Sequence, residues 1–142
     1  MSPFAHLLHD LRMRHGIRQR DLAERMGYET SYFSALEVGI KGPPPAEFVE
    51  RLIAALDLPE IEQEEVRRAA AASQRKLQIE HDTPQDVFWM LAELRARVSQ
   101  LHPAQVRMIR EILELPENLA KNRTEPIRRI KRRQHEGEGA NM

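Results

Sequence analysis

Gly27 separates two short amphipathic stretches, and that spacing constrains the fold more than any other feature of the chain. Leu22, Ala23 and Met26 make one helical face before the glycine; Phe33 and Leu36 make a second after it, stopped by Gly39. Ala23 is small where the two helices must cross, Gly27 can take the left-handed conformation of a sharp turn, and Tyr28 anchors that turn. Placing Phe33 and Leu36 on the buried side of a helix that advances about 100° per residue turns Ser31, Ser34, Ala35 and Val38 outward, with Thr30 on their flank. An exposed helix face usually carries long charged side chains. This one is short, which permits close approach to another surface.

The surrounding pattern is helical throughout. Phe4, Leu7, Leu8 and Leu11 predict a first helix ended by Gly16, and Ile17 restarts the core. "KGPPP" reads as a loop, with Pro45 at the first position of a fourth helix that turns Phe48, Val49, Leu52, Ile53 and Leu56 inward. Pro59 breaks it. A fifth helix is expected from about Glu60 through the alanine run to Ile79, with Val66, Ala70 and Leu77 near one face. "HDTP" marks a boundary, Asp82 or Thr83 capping a helix that opens at Pro84. From there Val87, Leu91, Leu94, Val98 and Leu101 alternate four and three residues apart, a coiled-coil-like seam. After "HP" at 102–103, Val106, Ile109, Ile112, Leu113 and Leu115 predict a second helix, making an αα-hairpin. Alone, that hairpin leaves its seams wet, so Val87, Leu91, Leu94, Val98, Leu101, Ile109 and Leu113 are expected to pair with a second copy in a four-helix bundle. Trp89 is expected to be buried in the hairpin. The expected organisation is therefore residues 1–80 as one domain, 81–116 as a dimerising hairpin, and 117–142 as a basic, largely disordered tail.

The two helices around Gly27 make a helix-turn-helix, whose second helix enters the DNA major groove while the first crosses the backbone. Hydroxyls and methyls on the outward face can read donor, acceptor and thymine-methyl patterns there. The segments "LRMRHGIRQRDLAERMG", "SYFSALEVGIKGP" and "LIAALDL" resemble the DNA-binding domain of the lambda-repressor and Cro family, also called the XRE family. The resemblance covers Phe4 to about Leu58 and implies an all-α, five-helix domain. It also implies that Gln19 contacts phosphate or supports a base contact, that Thr30, Ser31, Ser34 and Ala35 form the recognition face, and that Ile40 and Lys41 approach DNA from the following loop. Arg12 and Glu37 match a pair that forms a buried ion bridge between the first helix and the recognition helix.

The chain departs from the family at the caps, which are Arg18 and Glu29 rather than Ser, Thr or Asn. Arg18 is read as exchanging a cap for a phosphate contact, and Asp21 as satisfying some of the free amides. The recognition face lacks an outward Arg, Gln or Asn for bidentate base contacts, which predicts weak discrimination per half-site. Two half-sites about 34 Å apart on a pseudo-palindromic operator would supply the rest.

Charge and composition bound the alternatives. Lys and Arg balance Asp and Glu at 22 each, but residues 117–142 hold seven basic against four acidic side chains, concentrated in "RRIKRR". That run is read as a solvated tail ahead of a DNA-reaching arm. There is no cysteine, hence no disulfide framework or thiolate metal site, and a reducing cytoplasm is the expected location. No apolar run is long enough to span a membrane. His6, His9 and Asp10 share a side of the first helix but lack further ligands, so they are read as a polar stripe; no metal and no cofactor are expected. Neither a phosphate-binding glycine loop nor a His-Glu-x-x-His helix is present, so no enzyme is expected. The expected function is a repressor that binds double-stranded DNA as a homodimer, relieved by a protein antirepressor or small ligand. Two alternatives remain: the antitoxin of a toxin-antitoxin pair, and a helical adaptor that binds no nucleic acid.

Overall fold

The computed structural model describes residues 1–116. The basic tail of 117–142, with the cluster from Arg128 to Arg133, lies outside them. Among the described residues the chain is all-α, with seven α-helices and no strand: α1 Pro3–Arg14, α2 Gln19–Met26, α3 Thr30–Glu37, α4 Ala46–Leu56, α5 Glu60–Ala72, α6 Gln85–Arg97 and α7 Pro103–Leu113, with a 3-10 turn Val98–Gln100 after α6. The chain divides into two units, Met1–Ile79 and a second that begins at Glu80. No helix among the described residues is long and apolar enough to cross a membrane.

In the first unit the helical periodicity of the sequence becomes one continuous core. Phe4, Leu8 and Leu11 from α1, Leu22 and Ala23 from α2, Phe33 and Leu36 from α3, Phe48 and Leu52 from α4, and Val66 from α5 are all buried. Phe48 is the hub, its ring lying 4.9 Å from that of Tyr28 and 6.0 Å from those of Phe4, Tyr32 and Phe33. Aromatic rings at such separations add to the stabilisation from burial itself. α1 opens with Pro3 at its first position and a Ser2 cap, whose Oγ accepts from the Ala5 N–H at 3.2 Å.

Two sequence expectations shift in this unit. Pro45 is the residue before α4 rather than its first, which costs the helix nothing because proline suits either site. α5 stops at Ala72, well short of Ile79, leaving Leu77 73% exposed. The cause is Ser73, which is buried: its hydroxyl donates to the Ala69 carbonyl at 2.7 Å and accepts from the Phe4 N–H at 2.9 Å. That clasp ties the end of α5 to the start of α1, and the polar residues beyond it have no core to cover.

The second unit differs in kind. α6 begins after Pro84 with no side-chain cap; neither Asp82 nor Thr83 fills that role, and Asp86 instead accepts from the Val87 N–H at 3.1 Å. α7 begins in a capping box in which His102 Nδ1 accepts from the Ala104 N–H and Gln105 Oε1 accepts from the His102 N–H. α6 and α7 touch each other little. Val87, Leu91, Leu94, Leu101 and Ile109 are half-buried, Val98 and Leu113 are exposed, and no described residue of this unit is buried. α6 ends at Arg97, so Val98 opens the 3-10 turn that follows it. Trp89, expected to be buried, is 64% exposed. Apolar residues run consecutively from Val87 to Ala92 and so circle the helix, and Phe88, Trp89 and Ala92 line a shallow groove off the seam with Thr83 and Gln85.

Candidate nucleic-acid interface

The turn between α2 and α3 is built by Gly27, whose φ of 81° lies in the left-handed region where a side chain is strained. Its N–H and that of Tyr28 close the end of α2 on the carbonyls of Glu24 and Ala23, at 3.1 and 2.9 Å. Three residues then separate α2 from α3, which starts at Thr30.

On α3, Phe33, Leu36 and Glu37 are buried, Thr30 and Ser31 are exposed, and Ser34 and Ala35 are half-exposed. Val38, which follows the helix with αR geometry, is 52% exposed. Ile40 is 74% exposed in the loop beyond, beside exposed Lys41. Arg18 lies exposed at the mouth of α2. The structure thus brings Thr30, Ser31, Ser34, Ala35, Ile40 and Lys41 onto α3 and its following loop. Neither Arg18 nor Glu29 makes a side-chain cap, and Asp21 makes no hydrogen bond to the free amides of α2; its charge in the first helical turn remains favourable through the helix dipole.

One charged centre fixes the tilt of α3. Arg12 grips the buried Glu37 carboxylate with two nitrogens, Nε to Oε2 at 3.0 Å and Nη2 to Oε1 at 2.8 Å, and its Nη1 donates to the Ile17 carbonyl at 3.1 Å. A single guanidinium therefore joins α1, the loop before α2, and α3. His9 Nδ1 lies 2.6 Å from Glu37 Oε1; because a carboxylate only accepts, that ring nitrogen carries the hydrogen. Burial pushes the Glu37 carboxyl up, but hydrogen bonds from Arg12 and His9, the charge of Arg12 and a contribution from Gln19 outweigh it, so it titrates below its ordinary value of 4.5. The bond to Glu37 likewise raises the Arg12 guanidinium against the opposing effect of its burial.

Gln19 is half-buried at the start of α2, near enough to Glu37 to contribute to the lowering of its carboxyl. His9, grouped by sequence with His6 and Asp10, turns instead to α3, while His6 meets Asp10 at 3.5 Å. Among the described residues no group of three or more His, Cys, Asp or Glu side chains is placed to hold a metal ion.

Sequence reasoning also missed an aromatic ladder along one flank of α3. The Tyr28 and Tyr32 rings stack at 5.5 Å and 29°, Lys41 Nζ sits 5.4 Å over Tyr32, and the Arg51 guanidinium lies 5.2 Å over Tyr28. Burial, with Tyr28 adding to it, raises the Tyr32 phenol and keeps it protonated. The four-residue spacing of the tyrosines was the available signal, one turn apart on a helical template.

Residues 3–68 match a family model described as a helix-turn-helix domain. A chain from a solved SinR protein/SinI protein complex is similar at 22% identity, with 81% of this chain and 98% of that chain covered and a TM-score of 0.39. No curated protein matches the sequence. The matched stretch takes in α1 to α4 and the first part of α5, with α2, the Gly27 turn and α3 inside it.

Proposed function

We propose that the chain is a transcriptional repressor that binds a pseudo-palindromic operator as a homodimer, α3 entering the major groove and the α6–α7 unit joining the two copies. The observation that carries this reading is the two-sidedness of α3: Phe33 and Leu36 are buried while Thr30 and Ser31 stand free. A side-chain surface without bulk, held by the Arg12–Glu37 centre, suits a helix whose partner is the floor of a groove. Arg18 and Lys41, both exposed, are positioned at the mouth of α2 and after α3 to meet phosphates on either side.

Support for the dimer comes from the second unit. Val87, Leu91, Leu94, Leu101 and Ile109 remain only half-buried, with Val98 and Leu113 exposed; a helix pair of this apolar content gains by covering that surface. The same surface favours a second reading in which it takes a protein antirepressor or toxin. The two differ in mass, since the purified chain alone dimerises only in the first.

Two measurements test the function. Selection of bound sites from random DNA recovers inverted repeats whose half-site centres lie about one helical turn, or a multiple, apart. Ser31→Glu abolishes binding to those sites while changing unfolding free energy by no more than about 0.5 kcal/mol, as expected at an exposed position. Recovery of unrelated sequences, or unchanged binding by Ser31→Glu, defeats the proposal.

A further inference from the structure

The branched aliphatic side chains after the recognition helix are placed where a solvated surface has no use for them. Val38 lies seven residues after Ser31 and on the same arc of the helix, so it extends the outward face by two turns. Ile40 is more exposed still, at 74%. Its loop is held in place: the Lys41 N–H donates to the Ala35 carbonyl at 3.1 Å, the Lys41 ammonium sits over Tyr32, and Arg75 donates to the Gly39 carbonyl. Gly39 permits the turn, at a φ of 87°. An aliphatic group on an anchored loop, next to an exposed lysine, matches the chemistry of a groove wall, with apolar methyls on the floor and phosphate at the rim.

We infer that Val38 and Ile40 read the 5-methyl groups of thymine, so that the operator half-site is recognised largely through apolar contact with thymines, with Lys41 on the adjoining phosphate. The inference rests on the DNA-binding reading above and names what that surface selects. It is supported by the side chains present: the face carries no Arg, Gln or Asn for a bidentate base contact, and apolar contact with the thymine methyl is a further means by which the major groove distinguishes A·T from G·C. Neither side chain is needed for the core, since both are exposed.

Deoxyuridine supplies the probe, because it pairs as thymidine does and lacks only the methyl. The full chain is titrated with a site recovered by selection, and with the same duplex carrying deoxyuridine in place of every thymidine. Each contacted methyl is worth about four-fold in affinity, so a symmetric site with one contact per half weakens about fifteen-fold. The Val38→Ser, Ile40→Ser double variant binds the two duplexes within about two-fold of each other, and Ile40→Ser alone keeps part of the difference. Equal binding of the two duplexes by the unaltered chain overturns the inference while leaving DNA binding intact. Full discrimination by the double variant also overturns it, placing the methyl contact elsewhere. Failure to retain any DNA defeats the earlier reading as well, and is told apart by that result.

Discussion

The two units are built from similar sequence material and reach different ends. Both carry apolar residues at helical spacing, yet the first buries the large rings of Phe4, Phe33 and Phe48 and the second buries no described residue at all. The difference is one of geometry. Five helices packed on one another enclose a volume around Phe48; two helices that touch little have only faces. Periodicity therefore establishes that a helix has an apolar side, and the topology decides whether the same chain can cover it.

The largest effect should come from the hub. Phe48→Ala removes a ring that touches four others and is expected to cost about 3–5 kcal/mol, whereas Phe88→Ala in the second unit should cost well under 1 kcal/mol in dilute monomer. Denaturant titration of the two variants side by side measures this contrast, and equal losses would erase it. Next in size is Glu37→Gln, which leaves the Arg12 guanidinium, 15% exposed, without its carboxylate; a loss of about 3 kcal/mol is expected.

The same centre sets a pH dependence. Because the folded Glu37 titrates below its ordinary value, the unfolded chain binds the proton more readily. Its contribution is present in full above pH 4.5 and is lost as pH falls through the lower folded value. Urea midpoints between pH 3 and pH 6 should fall with acid in the unaltered chain and fall less in Glu37→Gln; parallel curves would detach the centre from acid stability.

The smallest effect on folding, and the sharpest on assembly, belongs to Leu94→Arg. Half-buried on the proposed seam, the arginine should halve the mass seen by light scattering while the thermal transition of the first unit stays in place. A surviving dimer would move the interface off this face. Trp89 reports on the same event, being the single tryptophan of the chain and 64% exposed: its emission shifts to the blue on dilution-reversible association if the groove beside the seam is also covered.

Much of the helix-turn-helix was legible in the sequence because its signals are local. Gly27, the inward pair Phe33 and Leu36, and the inward set of α4 each depend on residues within a turn or two of one another. What was not legible depends on partners far along the chain. Ser73 ends α5 by reaching Phe4, 69 residues away, and His9 turns to Glu37, 28 residues away. Neither has a periodic signature. Trp89 was misread for the opposite reason: an aromatic in an apolar run reads as core, and only the architecture reveals that no second layer lies over it.

The start of the chain has a practical bearing. Met1 Cα lies 3.9 Å from where a Cβ on Gly39 would sit, so Met1 lies beside the loop that carries Ile40. An affinity handle fused ahead of Met1 would emerge at the rim where a duplex is to be received and could mask or mimic binding.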